Sequence, residues 1–137
     1  MKKFNIYTQN NPGLEYHKDD RGTIADVFFN TQIHHVAVVN SKAHSLRGNH
    51  YHKYSTQHML MTKGRMEYWY KPVGSSEPSQ MVMVNVGDVI STPPNEIHAL
   101  RYLDDVESEF IVFSEGPRGG PDYESDTFRV DSIFDGK

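Results

Sequence analysis

The residues best suited to chemistry are His50 and His52, which flank Tyr51. Positions i and i+2 of a strand project from one face, so these two imidazoles point together and Tyr51 points away. Gln57 opens the next apolar run, and His98 follows the turn residues Pro93-Pro94-Asn95. Two imidazoles from one strand, a third from a distant strand and an amide oxygen can surround a divalent metal. Zinc, iron, nickel, copper or manganese would then hold one position open for substrate. Without a metal the same rings can act as acid and base, since the unperturbed histidine pKa of ~6.5 lies near working pH. A His-x-His pair on a strand is also often no more than a polar face. Spacing alone leaves these readings open.

Arg47 precedes the pair. Its guanidinium is always charged and fork-shaped, which suits a ligand oxygen as well as a surface turn. Other candidates read more plainly. Strand alternation turns His58 away from Gln57, and of the neighbours His34 and His35 at most one faces inward. His17 and His44 lie in polar stretches and read as solvated. Asp19-Asp20 and Asp104-Asp105 read as turns. Tyr68, Trp69 and Tyr70 read as core rather than as a ligand platform. The methionines Met59, Met61, Met66, Met81 and Met83 read as gap-filling core side chains.

Positioning such a group falls to short strands. Thr23–Phe29, His34–Asn40, Gln57–Thr62, Arg65–Lys71, Gln80–Val86, Val89–Ser91, His98–Tyr102 and Ser108–Ser114 are β-branched, aromatic or alternating runs. Lys63-Gly64 and Gly87-Asp88 punctuate them, and Ser45–Asn49 reads as a loop. No segment shows a helical apolar stripe. The pattern predicts an all-β sandwich or closed barrel. It divides into an N-terminal segment (1–19), a barrel (20–114) and a loop with a C-terminal tail (115–137), in which Asp126–Phe134 docks as a last strand or helical turn. A length of 137 residues is one domain.

Composition removes several functions. With a net charge of −4 and no basic stripe, bulk attraction to nucleic acid is absent. There is no cysteine, so disulfides and thiolate metal sites are excluded. The opening MKKFNIYTQNNPG lacks the apolar centre of a signal peptide, and no run reaches the ~20 apolar residues of a membrane helix. The expectation is a cytoplasmic protein. An apolar fraction of only 36% favours a homodimer, which buries more surface.

Two motifs carry a family resemblance. Gly48-x-His50-x-His52, then Gln57 and Gly64, resembles the first cupin motif, with Gln where that family usually has Glu. Gly87, Pro93, Asn95 and His98 resemble the second motif, with Asn95 in place of its glycine. Within the cupins, Arg47-Gly48-Asn49-His50-Tyr51-His52-Lys53 resembles the RGxHxHK segment of the dTDP-sugar 3,4-ketoisomerases, which also have Gln at the Gln57 position. Asp20-Arg21-Gly22 resembles their opening, and Asp122-Tyr123-Glu124-Ser125-Asp126-x-Phe128-Arg129 their acidic ending. The string RGNHYH is also similar to the zinc-binding cupin domain of capsule-forming nucleotide-sugar reductases.

These resemblances imply a single-domain jelly-roll cupin barrel that binds a nucleotide sugar. They imply an isomerase or epimerase of a keto-deoxysugar in surface polysaccharide synthesis, needing no cofactor. By motif matching, His52 is the base and His50 its partner, with Arg47, Gln57 and His98 binding substrate. The alternatives are a metal-binding cupin using His50, His52, Gln57 and His98, and a non-catalytic module that holds a sugar nucleotide.

Overall fold

The computed structural model describes residues 1–8, 11, 13–117 and 124–135, and no α-helix occurs among them. Among the described residues, twelve strands follow in chain order. They are β1 (Lys2–Asn5), β2 (Tyr16–Asp19), β3 (Gly22–Ala25), β4 (His35–Ser41), β5 (Leu46–Tyr51) and β6 (Thr56–Lys63). After these come β7 (Met66–Pro72), β8 (Gln80–Val84), β9 (Asp88–Thr92), β10 (Glu96–Tyr102), β11 (Ser108–Glu115) and β12 (Phe128–Arg129). One five-stranded sheet runs β1-β9-β6-β11-β4 and a second runs β12-β5-β10-β7-β8, while β2 and β3 form a separate hairpin. All pairings are antiparallel. The architecture is the all-β, cupin-like barrel that the motifs imply.

Alternation decides what fills it. On β6 the inward side chains Gln57, Met59 and Met61 are buried. Met59, Met61 and Met66 join Tyr68, Ile90 and Phe110 in the core between the sheets. The methionine reading holds for these three, whereas Met81 is exposed. Two smaller clusters seal the outer faces. Ile6, Leu60 and Val89 pack on the first sheet. Ile97, Ala99, Ile133 and Phe134 pack on the second, so the C-terminal tail is part of the fold.

Several expected boundaries need correction. The run Thr23–Phe29 is strand only as far as Ala25; Val27, beyond it, turns down onto the Leu60 cluster instead. Gln80–Val86 stops at Val84, with Asn85 closing a turn through its N–H to Asp88. The expected loop Ser45–Asn49 is mostly strand, because Leu46, Arg47 and Gly48 pair with β10. Pairing with a neighbour overrides the weak strand propensity of Arg-Gly-Asn. Of the tail, Phe128–Arg129 forms a strand on β5 at Tyr51 and His50; Asp122 and Tyr123 lie outside the described residues.

Candidate functional site

A β-bulge sets the direction of His50. On β10, His98 pairs with His50 and Ala99 with Gly48, so Asn49 is an extra residue in β5. Bulges of this kind kink a strand and re-aim the side chains beside it. Gly48 and Asn49 both have positive φ, 91° and 57°. A Cβ on Gly48 would lie 2.7 Å from the His98 carbonyl oxygen, so only glycine lets the strands approach here. Asn49 uses its freed groups on the tail: its carbonyl accepts the Val130 N–H at 2.9 Å, and its Oδ1 the Ile133 N–H at 3.0 Å.

The bulge, the end of β5 and β10 bring three imidazoles together. Ring centroids are 4.7 Å apart for His50–His98, 5.1 Å for His50–His52 and 5.4 Å for His52–His98. His52 follows the last residue of β5, yet it converges with His50 as the i, i+2 rule expects. Tyr51 points away and stacks on Phe128. His52, His98 and Gln57 are 1%, 3% and 6% exposed. Asn95, at the motif's glycine position, has φ 63°, a conformation that Asn tolerates better than most residues. Its N–H holds the His52 carbonyl at 2.7 Å.

Backbone carbonyls fix two of the rings. His52 Nδ1–H donates to the Asp126 carbonyl at 2.6 Å, and His98 Nδ1–H to the Glu96 carbonyl at 3.1 Å. That assignment follows from the acceptor, since a carbonyl offers no proton. Both Nε2 atoms therefore take part in the cluster. His52 Nε2 lies 3.1 Å from Gln57 Oε1. A ring protonated on both nitrogens satisfies the two acceptors as placed. A neutral ring requires the amide turned so that its NH2 donates.

Tyr68 lies nearly parallel to His98, at 7° with centroids 6.1 Å apart. Its hydroxyl bonds Thr92 Oγ1 and donates to Glu96 Oε1 at 3.2 Å. Burial, then the Glu96 carboxylate, push its pKa well above the ordinary 10.0. It is a neutral wall behind His98.

A cavity of about 710 Å³ opens in front of the cluster. His50, His98, Gln57 and Arg47 line it, and Met59, Leu100, Phe110 and Val112 form its apolar depth. His52 is not on its wall. Arg47 also donates to Ser41 Oγ at 2.7 Å and to the Asn40 carbonyl at 2.9 Å. Four further polar residues line the wall, none of them named as a site residue from the sequence: His35, Glu124, Thr127 and Arg129. His35 is the inward member of the His34–His35 pair, and its Nδ1 has no hydrogen-bond partner among the described residues. Arg129 donates to Glu124 at 2.8 Å. The resemblance of the tail was the only signal for Glu124 and Arg129. His58 does face away from the cavity, bonding Ser91 and Glu115, each at 2.6 Å.

The donor set suits a metal in kind. Zinc holds four donors at ~2.1 Å, which leaves them roughly 3.4 Å from one another. The His52–Gln57 contact of 3.1 Å meets that spacing. The imidazole nitrogens of His50, His52 and His98 lie within 4.8 Å of one another and would have to draw together. No carboxylate belongs to this group among the described residues.

A family model described as the polysaccharide biosynthesis C-terminal domain matches residues 17–115. The chain belongs to this family. No curated protein sequence matches it. This polysaccharide biosynthesis C-terminal domain also resembles solved structures. The capsular polysaccharide assembling protein CapF from Staphylococcus aureus is 23% identical at a TM-score of 0.65. That match covers 87% of this chain and 34% of CapF, so the chain spans about a third of that protein's length. A 3,4-ketoisomerase from Helicobacter canadensis has a TM-score of 0.73 at 16% identity, covering 94% of this chain and 90% of that one. A 3,4-ketoisomerase variant from Thermoanaerobacterium thermosaccharolyticum, solved with TDP, has a TM-score of 0.67 at 15% identity. It covers 85% of this chain and 83% of that one. At these identities the likeness establishes the fold. No helix among the described residues is long and apolar enough to cross a membrane.

Proposed function

We propose that this chain isomerises or epimerises a nucleotide-linked keto-deoxysugar by histidine-mediated proton transfer, in the making of surface polysaccharide. The observation that carries the reading is the three-imidazole cluster facing a cavity with an apolar depth and two arginines on its wall. Moving a carbonyl to the neighbouring carbon takes one C–H proton to a base and forms an enediol(ate); the hydroxyl proton passes to the former carbonyl oxygen, and a proton returns to the former carbonyl carbon. No cofactor is consumed. The apolar depth matches a deoxy carbon, and Arg47 and Arg129 match a diphosphate.

Of the His50–His52 pair, His50 lines the cavity, and we assign it the base; His52, one layer back, is its relay partner. This reverses the order implied by motif matching, and the cavity wall is the reason. The protein acts in the cytoplasm, as a homodimer. A second reading is favoured by the His52–Gln57 spacing: His50, His52, His98 and Gln57 would hold a divalent metal, which polarises a bound carbonyl oxygen.

The test is incubation with TDP-4-keto-6-deoxyglucose and related keto-sugar nucleotides in deuterated water, read by NMR. Deuterium entering the carbon next to the carbonyl supports the proposal, with the rate lost in His50→Asn. If these ligands raise Tm but take up no deuterium, the protein is a binding module and the enzymatic reading fails.

A further inference from the structure

We infer that Asp126 is the positioning residue of the histidine cluster, acting on His52 through both its backbone and its side chain. Its carbonyl takes the His52 Nδ1–H at 2.6 Å. Its carboxylate spans the turn that follows His52. Oδ1 accepts the Lys53 N–H at 2.8 Å, while Oδ2 accepts those of Tyr54 at 3.0 Å and Ser55 at 2.9 Å. The residue is 2% exposed.

The two halves of the residue depend on each other. Three N–H donors hold the carboxylate, and this fixes where the Asp126 carbonyl sits. The carbonyl then dictates which His52 nitrogen carries the proton and aims Nε2 at Gln57 and the cluster. Second partners of this kind fix ring tautomer and orientation generally. The surroundings of the carboxyl agree: burial works to raise its pKa, but the N–H groups of Lys53, Tyr54 and Ser55 and the Ser55 hydroxyl outweigh it and hold the group below 3.8. An anionic carboxylate is the form that accepts three donors.

The arrangement also explains how a tail more than seventy residues away in sequence belongs to the site. Phe128 stacks on Tyr51 and lies under the Lys53 ammonium at 4.3 Å. Together with the Asn49 contacts to Val130 and Ile133, these clamp the segment that follows Asp126.

The role in turnover rests on the proton-transfer reading; the role in fixing the ring does not. The experiment is therefore long-range 1H–15N spectroscopy of the imidazoles in the full chain, at one pH, for wild type, Asp126→Asn and Asp126→Ala. Wild type should show His52 as a single species protonated at Nδ1. In Asp126→Ala the His52 signals should move toward tautomer averages while those of His98, held by Glu96, stay in place. Asp126→Asn keeps the shape and one acceptor oxygen, and should fall between. Kinetics should show kcat lowered at least tenfold in Asp126→Ala with KM changed less than threefold, and partial rescue in Asp126→Asn. Folded variants whose His52 signals match wild type would overturn the inference, leaving Asp126 a structural staple. Should Asp126→Ala not fold, the near-isosteric Asn variant decides alone by the same signals. Wild type that turns over no keto-sugar, yet shows the His52 shift on substitution, would sink the proposed reaction and keep the positioning role.

Discussion

His50 and His98 face each other across neighbouring antiparallel strands, ring centroids 4.7 Å apart and planes at 89°. The contact depends on Gly48, where a Cβ would meet the His98 carbonyl oxygen at 2.7 Å and the Ala99 Cα at 2.9 Å. Both are backbone atoms, so neither can swing aside. Gly48 also sits at φ 91°.

Gly48→Ala should therefore cost more than an ordinary surface change. Left-handed strain alone is about 1–3 kcal/mol at a non-glycine residue, and the backbone clash adds to it. Urea unfolding should show the loss, and the His50 and His98 ring signals should shift together. A variant as stable as wild type with unmoved signals would mean that β5 does not approach β10 this closely.

How far the sequence carried this picture depends on the residue. His50, His52 and His98 were legible because strand alternation and two spaced motifs converge on them, and Gln57 because it opens an alternating run. The bulge at Asn49 was not: Ser45–Asn49 has the composition of a loop, and only pairing with β10 makes it strand. Asp126 was legible as part of the tail's resemblance, but its role was not, for a related reason. Its partners are backbone groups of Lys53, Tyr54 and Ser55, and no residue-type pattern announces a backbone donor. His35 and His34 could be sorted to opposite faces but not assigned to them, since either phase of β4 suits its apolar run.

Tyr68 supplies a pH signature. Its folded pKa is raised, so the stability it contributes is fully present below the unfolded value near 10 and is lost as pH rises toward the folded value. Tyr102, raised by burial despite the Ser41 and Arg47 contacts, acts in the same direction. Ultraviolet titration should leave Tyr68 protonated until the alkaline unfolding transition, and Tyr68→Phe should flatten stability against pH above 10. Smooth ionisation of every tyrosine with the fold intact would contradict the burial described for this ring.

Metal dependence separates the two chemical readings. The set has no carboxylate to offset the cation, and its imidazole nitrogens must draw in from separations of up to 4.8 Å. Weak binding should follow. Plasma mass spectrometry of untagged protein should find well under one ion per chain, and turnover should survive chelator dialysis. About one ion per chain, lost in His50→Ala and in His98→Ala, would instead establish the metal reading and demote pure proton shuttling.

Arg47 offers the clearest division between binding and chemistry. Its guanidinium is already anchored by Ser41 Oγ at 2.7 Å and the Asn40 carbonyl at 2.9 Å, so it is presented to the cavity in one orientation. A diphosphate held there feels the same attraction before and during proton transfer, because the reacting carbons are elsewhere on the sugar. Such uniform binding shows in KM and leaves kcat alone. Arg47→Ala should raise KM by tenfold or more with kcat within about threefold. Arg47→Lys keeps the charge but loses the planar fork that makes two anchors at once, so its KM should lie between. Added salt should weaken wild type more than Arg47→Ala, since a partly exposed ion pair is screened. A variant whose kcat falls as steeply as kcat/KM would move Arg47 out of substrate binding and into the stabilisation of the enediolate.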